Sequence, residues 1–203
     1  FQGDPQEVEL SEEEEEEVTQ EEDIEPAEEQ TPALTIEDYR EMNQALYEVA
    51  DTAGRSVVEI TGIHSGQEWK NEAYDEKNSA AGVIVFDNGQ EILIFGKSSV
   101  AEGAESLTVT FADGKVYPAE LKQKEEILGF AIYSVEKSNM EESAREQIQV
   151  AVLGSSGSVG KGDGVIVLGK PFGYYGAVGY GVQASEKNQV VKEDGEYGIL
   201  CTD

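Results

Sequence analysis

Histidine, cysteine and tryptophan each occur only once among the 203 residues of this chain. Because Cys201 has no second cysteine to pair with, an internal disulfide framework is excluded. One cysteine and one histidine also cannot form the spaced Cys and His pairs that are typical of zinc sites. We therefore expect no metal and no other cofactor. The histidine, His64, lies in a polar loop and is interpreted as a solvated side chain, with a specific role as the less favoured alternative.

Basic residues are also scarce: 14 Lys and Arg face 43 Asp and Glu, for a net charge of −29. Nucleic-acid binding depends on clustered Lys and Arg that displace counterions from phosphates, so this class of function is excluded. An anionic membrane surface would repel such a chain. No apolar run approaches the roughly 20 residues needed to span a bilayer.

The acidic residues are concentrated at one end. Residues 1–32 hold fifteen of them and no Lys or Arg, which leaves −14 for the remainder. We interpret residues 1–34 as an extended, disordered spacer, since it cannot bury enough apolar surface to offset the entropy of ordering. Phe1, Gln2 and Gly3 resemble the remnant of an expression tag. Calcium binding by Glu12–Glu17 is the less favoured alternative, because a charge run does not supply converging oxygens.

Residues 35–54 are predicted to form one amphipathic helix. Thr35 is suited to the N-cap, and Gly54 to the residue that ends the helix. The apolar residues recur at helical spacing and indicate a face that packs on elements further along the chain: Tyr39, Met42, Leu46, Val49 and Ala53.

Beyond Gly54 apolar residues recur at every second position, which predicts an all-β fold. The dipeptides Asn88-Gly89, Asp113-Gly114 and Asp194-Gly195 are typical of hairpin turns. We predict a first β-barrel over residues 55–138 and part of a second over 148–203, separated by a linker with a short helix near 140–147. The expected strands are 56–62, 81–86, 91–96, 106–111, 115–123, 129–135, 149–153, 164–169, 177–184 and 197–201.

Two phosphate-binding patterns fail on inspection. Gly96-Lys97-Ser98 matches the tail of a nucleotide loop, but Glu91 stands where the first glycine is required. The glycines between residues 157 and 164 precede a strand instead of opening a helix, which argues against a dinucleotide site. Trp69 and Tyr74 share one loop. We interpret that loop as clamped on its own barrel, with a contact surface as the alternative.

Residues 47–200 resemble the trypsin-like domain of HtrA-type proteases, and more closely a group of membrane-anchored bacterial relatives. Arg55–Ile60 is similar to the opening strand of that family, and Ser79–Val85 to its next strand. Glu91–Val100 resembles the segment that carries the family's histidine. The most specific piece is the block from Lys161-Gly162-Asp163-Gly164 to Lys170-Pro171-Phe172-Gly173.

The resemblance implies two six-stranded β-barrels with an active site in the cleft between them. Carried over by position, the general-base histidine falls at Ser99 and the orienting aspartate at Gly129. Shifting the alignment by one residue restores neither side chain. The nucleophilic serine and its oxyanion hole would lie beyond Asp203. A serine hydroxyl needs a base that removes its proton and an aspartate that orients the base, so we predict no catalytic residues in this chain.

These observations favour an inactive HtrA-type homologue that serves as an extracytoplasmic binding or regulatory domain, anchored to a bacterial membrane through a segment before the acidic spacer. A serine endopeptidase whose C-terminal part is a separate or missing piece is the alternative, and a sensor of peptide segments in the old cleft is a third possibility. The expected partners are the protein's own C-terminal fragment or another chain, either of which would complete the second barrel, and peptide segments.

Overall fold

The computed structural model describes residues 33–64, 78–170 and 175–203, apart from the side chains of residues 186 and 187. The chain divides into two units, 1–35 and 36–203, and the elements below belong to the second. The predictions about residues 1–32 and about Trp69 and Tyr74 lie outside the described residues.

The first six strands close into an antiparallel barrel in the order β1-β2-β3-β6-β5-β4. In most of them alternate apolar residues are buried, as a strand with one buried face requires. The strand bounds are β1 Val57–Ile63, β2 Ser79–Asp87, β3 Glu91–Lys97, β4 Ser106–Thr110, β5 Val116–Glu125 and β6 Phe130–Glu136. The pairing of β3 with β6 determines the site, because it sets Lys97 opposite Phe130.

The buried core contains alanines, aromatic residues and Met140, but most of its members are branched aliphatic side chains. Burying each of these fully stabilises the fold by roughly 1.5–3 kcal/mol relative to exposure. The residues with no accessible surface are Val58, Ile60, Ile84, Ile92, Ile94, Val109, Tyr133 and Val135. The same buried cluster also includes Met140 and Ala144, which follow β6 in the chain.

Side-chain hydrogen bonds stabilise two of the predicted turns. At the β2–β3 turn, Asp87 accepts a hydrogen bond from the Gly89 N–H at 2.8 Å, and Asn88 accepts one from the Glu91 N–H at 2.7 Å. At the β4–β5 turn, Asp113 accepts one from the Lys115 N–H at 3.0 Å. Such local bonds explain why these dipeptides reverse the chain.

The second part of the fold is a three-stranded sheet in the order β7-β8-β9. Its strands are β7 Gly164–Gly169, β8 Ala177–Lys192 and β9 Gly195–Thr202. The hairpin turn at Asp194-Gly195 is confirmed, but β8 runs eight residues past the predicted end at 184, because it pairs with β9 along its whole second half. The all-β class is confirmed, with a closed first barrel and a second sheet that is open in the described residues.

The predicted strand at 149–153 is wrong. The segment is extended and forms two backbone hydrogen bonds, from the Gln149 N–H to Arg55 O and from the Ala151 N–H to Ile84 O. Val152 and Leu153 are 97% and 75% exposed. No strand among the described residues pairs with them, and an alternating pattern cannot become a strand without a neighbour. The short helix near 140–147 is confirmed as α2, Glu142–Gln147.

Helix α1 spans Ile36–Gly54, close to the predicted bounds. Its predicted packing is wrong in part. Ala50 is its one buried residue, and the predicted apolar face is largely exposed to solvent. The reason is that the helix meets the rest of the fold along a narrow line that includes Asn43, Leu46 and Ala50, and this line takes in only one edge of the predicted face.

The second sheet is joined to the first barrel at the outer face of β1 and β2. At the end of β7, the Lys170 ammonium donates a hydrogen bond to Ser79 Oγ at 2.8 Å and lies 3.7 Å from the Glu59 carboxylate. The Tyr175 hydroxyl, just before β8, donates to Val57 O at 3.3 Å. These contacts fix the sheet against the barrel.

Candidate functional site

The predicted base position, Ser99, lies in a single 3₁₀ turn, Ser98–Ala101, that directly follows β3. Val100 is buried and belongs to the barrel core, which holds the turn from below. Ser99 itself is half-buried, and its carbonyl accepts a hydrogen bond from the Glu102 N–H at 3.3 Å. The backbone at this position is therefore fixed by packing, while its side chain carries only a hydroxyl.

The predicted orienting position, Gly129, directly precedes β6. Its carbonyl accepts a hydrogen bond from the Ser98 N–H at 2.9 Å. The structure thus brings the two predicted positions together across the β3–β6 pair. Gly129 has φ +77°, a conformation that side-chain-bearing residues adopt only with strain. A Cβ built there would lie 3.9 Å from Ser98 Oγ, so space for a side chain exists but the backbone disfavours one.

The chemistry of this pair is that of two neutral groups. A serine hydroxyl cannot accept a proton near neutral pH, and glycine offers no group to orient a base. Neither of the two can therefore activate a nucleophile. The roles of Ser99 and Gly129 remain predictions, since their assignment as former base and aspartate positions rests on the resemblance.

Tyr133 is a supporting residue that sequence reasoning missed. Its hydroxyl donates a hydrogen bond to the Lys97 carbonyl at 2.7 Å, immediately before the 3₁₀ turn. Burial, and secondarily the charge of Glu102, raises the pKa of Tyr133 to about 12. The phenol is thus neutral over the whole physiological range and acts as a hydrogen-bond donor that positions the turn. Its partner lies 36 residues away in sequence, and no local pattern signals such a pair.

His64, the chain's one imidazole, is placed beside the loop that follows the 3₁₀ turn. Its Nδ1 lies 2.9 Å from the Gly103 carbonyl oxygen. A carbonyl can only accept a hydrogen bond, so Nδ1 carries the proton in this contact. The expectation of a freely solvated side chain is therefore corrected: His64 is half-buried and bonded to the backbone.

An aromatic pair lies next to the two predicted positions, on the outer face of the barrel. The ring centroids of Phe95 and Phe130 are 4.8 Å apart and the planes are tilted by 41°. Both side chains are about two-fifths exposed, at 39% and 40%. Paired, partly exposed aromatic rings offer an apolar side chain of a ligand a surface on which to pack. The periodicity predicted β3 and β6 but not this pairing.

The junction of Ser79, Lys170 and Glu59 was also missed, although a serine hydroxyl bonded to a lysine ammonium can in principle be a nucleophile and its base. Here the lysine is the charged partner of Glu59, and Ser79 is buried against the second sheet. A substrate could not reach it. Burial, and secondarily the charge of Glu59, raises the pKa of the neighbouring Tyr175 to about 12. Ser79, Lys170 and Glu59 therefore connect the second sheet to the barrel.

Within the described ranges, no group of three or more His, Cys, Asp and Glu side chains could hold a metal ion. Over the same residues, no helix has the length and apolar character needed to cross a membrane.

The closed antiparallel barrel, the second sheet joined to its face and the single long helix of the described residues are those of the trypsin-like all-β fold. The family model for the trypsin-like peptidase domain matches residues 80–202, more than half of the chain. The chain therefore belongs to the trypsin-like peptidase domain family, and its HtrA-type character is supported by named relatives.

These relatives are long proteins of which the chain matches a part. Magnetosome formation protease MamE of Magnetospirillum gryphiswaldense is 32% identical over 131 residues, which are 63% of this chain and 16% of MamE. Serine protease Do-like HtrB of Bacillus subtilis is 29% identical over 122 residues, 59% of this chain and 25% of HtrB. Putative serine protease HhoA of Synechocystis is 26% identical over 102 residues, 50% of this chain and 24% of HhoA. The chain thus spans a quarter or less of the relatives it matches.

Proposed function

We propose that this domain is a catalytically inactive member of the trypsin-like family that acts as a binding or regulatory domain. The observation that carries the proposal is the pair Ser99 and Gly129. They lie together in the fold at the positions where the family resemblance puts the base and the aspartate, and neither side chain can act in proton transfer. The positive φ of Gly129 fits the glycine found there, because most residues with a side chain avoid this conformation.

The ligand we propose for the cleft is an unfolded or extended peptide segment. The exposed rings of Phe95 and Phe130 favour it, because they leave an apolar surface beside the degenerate positions. An apolar side chain of the peptide would pack on the rings and remove them from water. The excess of acidic residues in the chain favours peptides that also carry Lys or Arg.

The open second sheet is the basis of a further part of the proposal. Alternate residues of β8, among them Val178, Tyr180 and Val182, form an apolar row on one face, and the last two are exposed. We propose that strands from the protein's own C-terminal region cover this face and complete a second barrel. Completion by another chain is the competing arrangement. Strand addition would also shield the exposed Val152 and Leu153.

The location belongs to the proposal as well. The family resemblance favours an extracytoplasmic domain tethered to a bacterial membrane, and the acidic segment 1–34 would be the spacer between tether and barrel. Its like charges repel one another and would keep such a spacer extended.

Binding of an unfolded basic protein tests the proposed function. With reduced and carboxamidomethylated lysozyme as the probe, Phe130→Ala should weaken binding severalfold, because it removes one of the two rings. Phe86→Ala is the matched control, since Phe86 is an exposed ring of the same barrel outside the aromatic pair. Mass spectrometry of the same mixtures should find the probe intact. If the two variants bound the probe equally well, a peptide site at the aromatic pair would be contradicted. Cleavage of the probe would contradict the proposal that the domain is inactive.

A further inference from the structure

Helix α1 presents an apolar stripe that the described fold covers only at Leu46, which is half-buried. The stripe consists of Tyr39, Met42, Leu46, Val49 and Ala53, at alternating spacings of three and four residues. Tyr39, Met42 and Val49 are 62%, 52% and 58% exposed. At 1.5 Å per residue the stripe is about 21 Å long. Three large apolar side chains more than half exposed along one regular helix are the pattern by which a helix docks on another helix.

The helix is anchored along a neighbouring line, which shares the half-buried Leu46 with the stripe. Ala50 is buried and Asn43 half-buried against the body. Its C-terminal end is closed by Ser56, whose Oγ donates a hydrogen bond to Ala53 O at 2.7 Å. The rest of the stripe therefore remains exposed while the helix itself is held in place.

The side of the stripe that faces away from the body carries one sign of charge. Asp38, Glu41 and Glu48 lie there, and all three are exposed. The single basic residue of α1, Arg40, is on the other side of the helix and lies 3.6 Å from Glu37. Charged residues that flank an apolar helix seam determine which helices pair with it.

This charge decides between the possible occupants. A second copy of the chain would use the same patch and bring the two acidic flanks together, and each copy carries a net charge of −29. The acidic segment 1–32 has the same sign and is equally unsuited. We propose that the stripe binds an amphipathic helix of a partner protein whose apolar seam is flanked by Lys or Arg.

A pair of synthetic helical peptides tests this proposal on the intact chain. Both have leucines at the spacing of the stripe, with Lys at the flanking positions in one and Glu in the other. Fluorescence anisotropy should show binding of the Lys peptide, weakened by added salt, and no binding of the Glu peptide. The double variant Met42→Gln/Val49→Gln should lose affinity by about tenfold or more.

The matched control is Tyr47→Gln, because Tyr47 is an exposed apolar residue of α1 outside the stripe. It should leave affinity within about twofold. Both variants keep every charge, so nonspecific attraction of the Lys peptide to the acidic chain is the same in each. All these positions are exposed, and circular dichroism verifies that the fold is kept. A second variant, Glu41→Lys/Glu48→Lys, should reverse the preference and bind the Glu peptide.

Three results would overturn the proposal. One is equal binding of the Lys peptide to the stripe variant and the control. Another is self-association of the chain in sedimentation equilibrium that the stripe variant abolishes, which would make a second copy the occupant. The third is binding to phosphatidylcholine–phosphatidylserine vesicles that depends on Met42 and Val49, which would make a lipid surface the occupant. None of these results bears on the inactivity of the cleft.

Discussion

Replacing Glu59 with Gln should destabilise the protein strongly, because it removes the carboxylate that compensates the buried Lys170 ammonium. The two side chains are only 11% and 14% exposed, and the charged atoms are 3.7 Å apart. At an effective dielectric constant of about 20, their attraction is roughly 4.5 kcal/mol before desolvation is counted. Loss of one partner of a buried pair costs about 3–5 kcal/mol. Since Lys170 keeps its hydrogen bond to Ser79, we expect a loss of about 3 kcal/mol, at the lower end of that range.

The double variant Glu59→Gln/Lys170→Met should recover most of this loss, because no uncompensated charge is then buried. Urea unfolding at neutral pH, followed by far-UV circular dichroism, measures the free energy of unfolding of the two single variants and the double variant. Lys122→Met is the surface control. Its ammonium lies 2.6 Å from Glu91 but the side chain is 39% exposed, so we expect only a small change. Hydrogen exchange should show the loss of protection centred on β7.

Small and additive effects would contradict a coupling between Glu59 and Lys170. If Glu59→Gln and Lys170→Met each lowered the free energy of unfolding by less than about 0.5 kcal/mol and simply added, the pair would not couple the sheet to the barrel. The sheet would then be held by apolar contacts alone.

Two backbone substitutions and one charge substitution give further predictions. Gly129→Ala should lower the free energy of unfolding by about 1–2 kcal/mol because of the positive φ at this position. Gly169→Ala should lower it clearly more, since φ there is +116° and a Cβ would lie 2.8 Å from Ala81 Cβ. Chemical denaturation compares the two variants, and equal losses would contradict a close contact between Gly169 and Ala81. The hydrogen bond from Lys137 lowers the pKa of Asp87 below its usual 3.8. The charged form of Asp87 therefore stabilises the fold above that value, and this stabilisation is lost as the pH falls through the lowered pKa. Asp87→Asn should lower the free energy of unfolding by about 0.5–1 kcal/mol at neutral pH, and the difference from wild type should vanish in acid. A difference that persisted at the lowest pH would contradict the stabilising role of the Asp87 carboxylate.

The first barrel could be predicted from the sequence because its signals are local. Alternating apolar residues determine which face of each strand is buried, and Asn88 and Asp113 form the turn hydrogen bonds that their identities suggest. The prediction of a strand at 149–153 was wrong for the complementary reason. Its alternation is real, but a strand also needs a partner, and Val152 and Leu153 have none among the described residues.

The helix shows the same limit. Its bounds follow from capping and periodicity, yet the periodicity does not indicate which part of the apolar face meets the body. The contact through Asn43, Leu46 and Ala50 depends on the packing of the helix against the folded body, which no local pattern in the sequence reports.

The candidate site likewise contains residues that the sequence predicted and residues that only the folded chain brings together. The positions of Ser99 and Gly129 could be predicted from a resemblance that extends over many residues, and their adjacency follows from the β3–β6 pairing. The bond between Lys170 and Ser79 joins residues 91 positions apart. No periodicity or spacing rule connects two such residues, so a contact of this kind becomes visible only in the folded chain.

The inactivity of the domain is tested most directly by a fluorophosphonate probe, which reacts covalently with an activated serine. The measurement uses the complete natural protein with all its segments, with trypsin as the positive control and intact mass spectrometry as the readout. Ser99→Ala is included to exclude a fortuitous reaction at Ser99. We predict no stoichiometric labelling of a folded protein, because Ser99 and Gly129 supply neither base nor orienting carboxylate. Labelling of one serine per chain would contradict the account and establish an active peptidase.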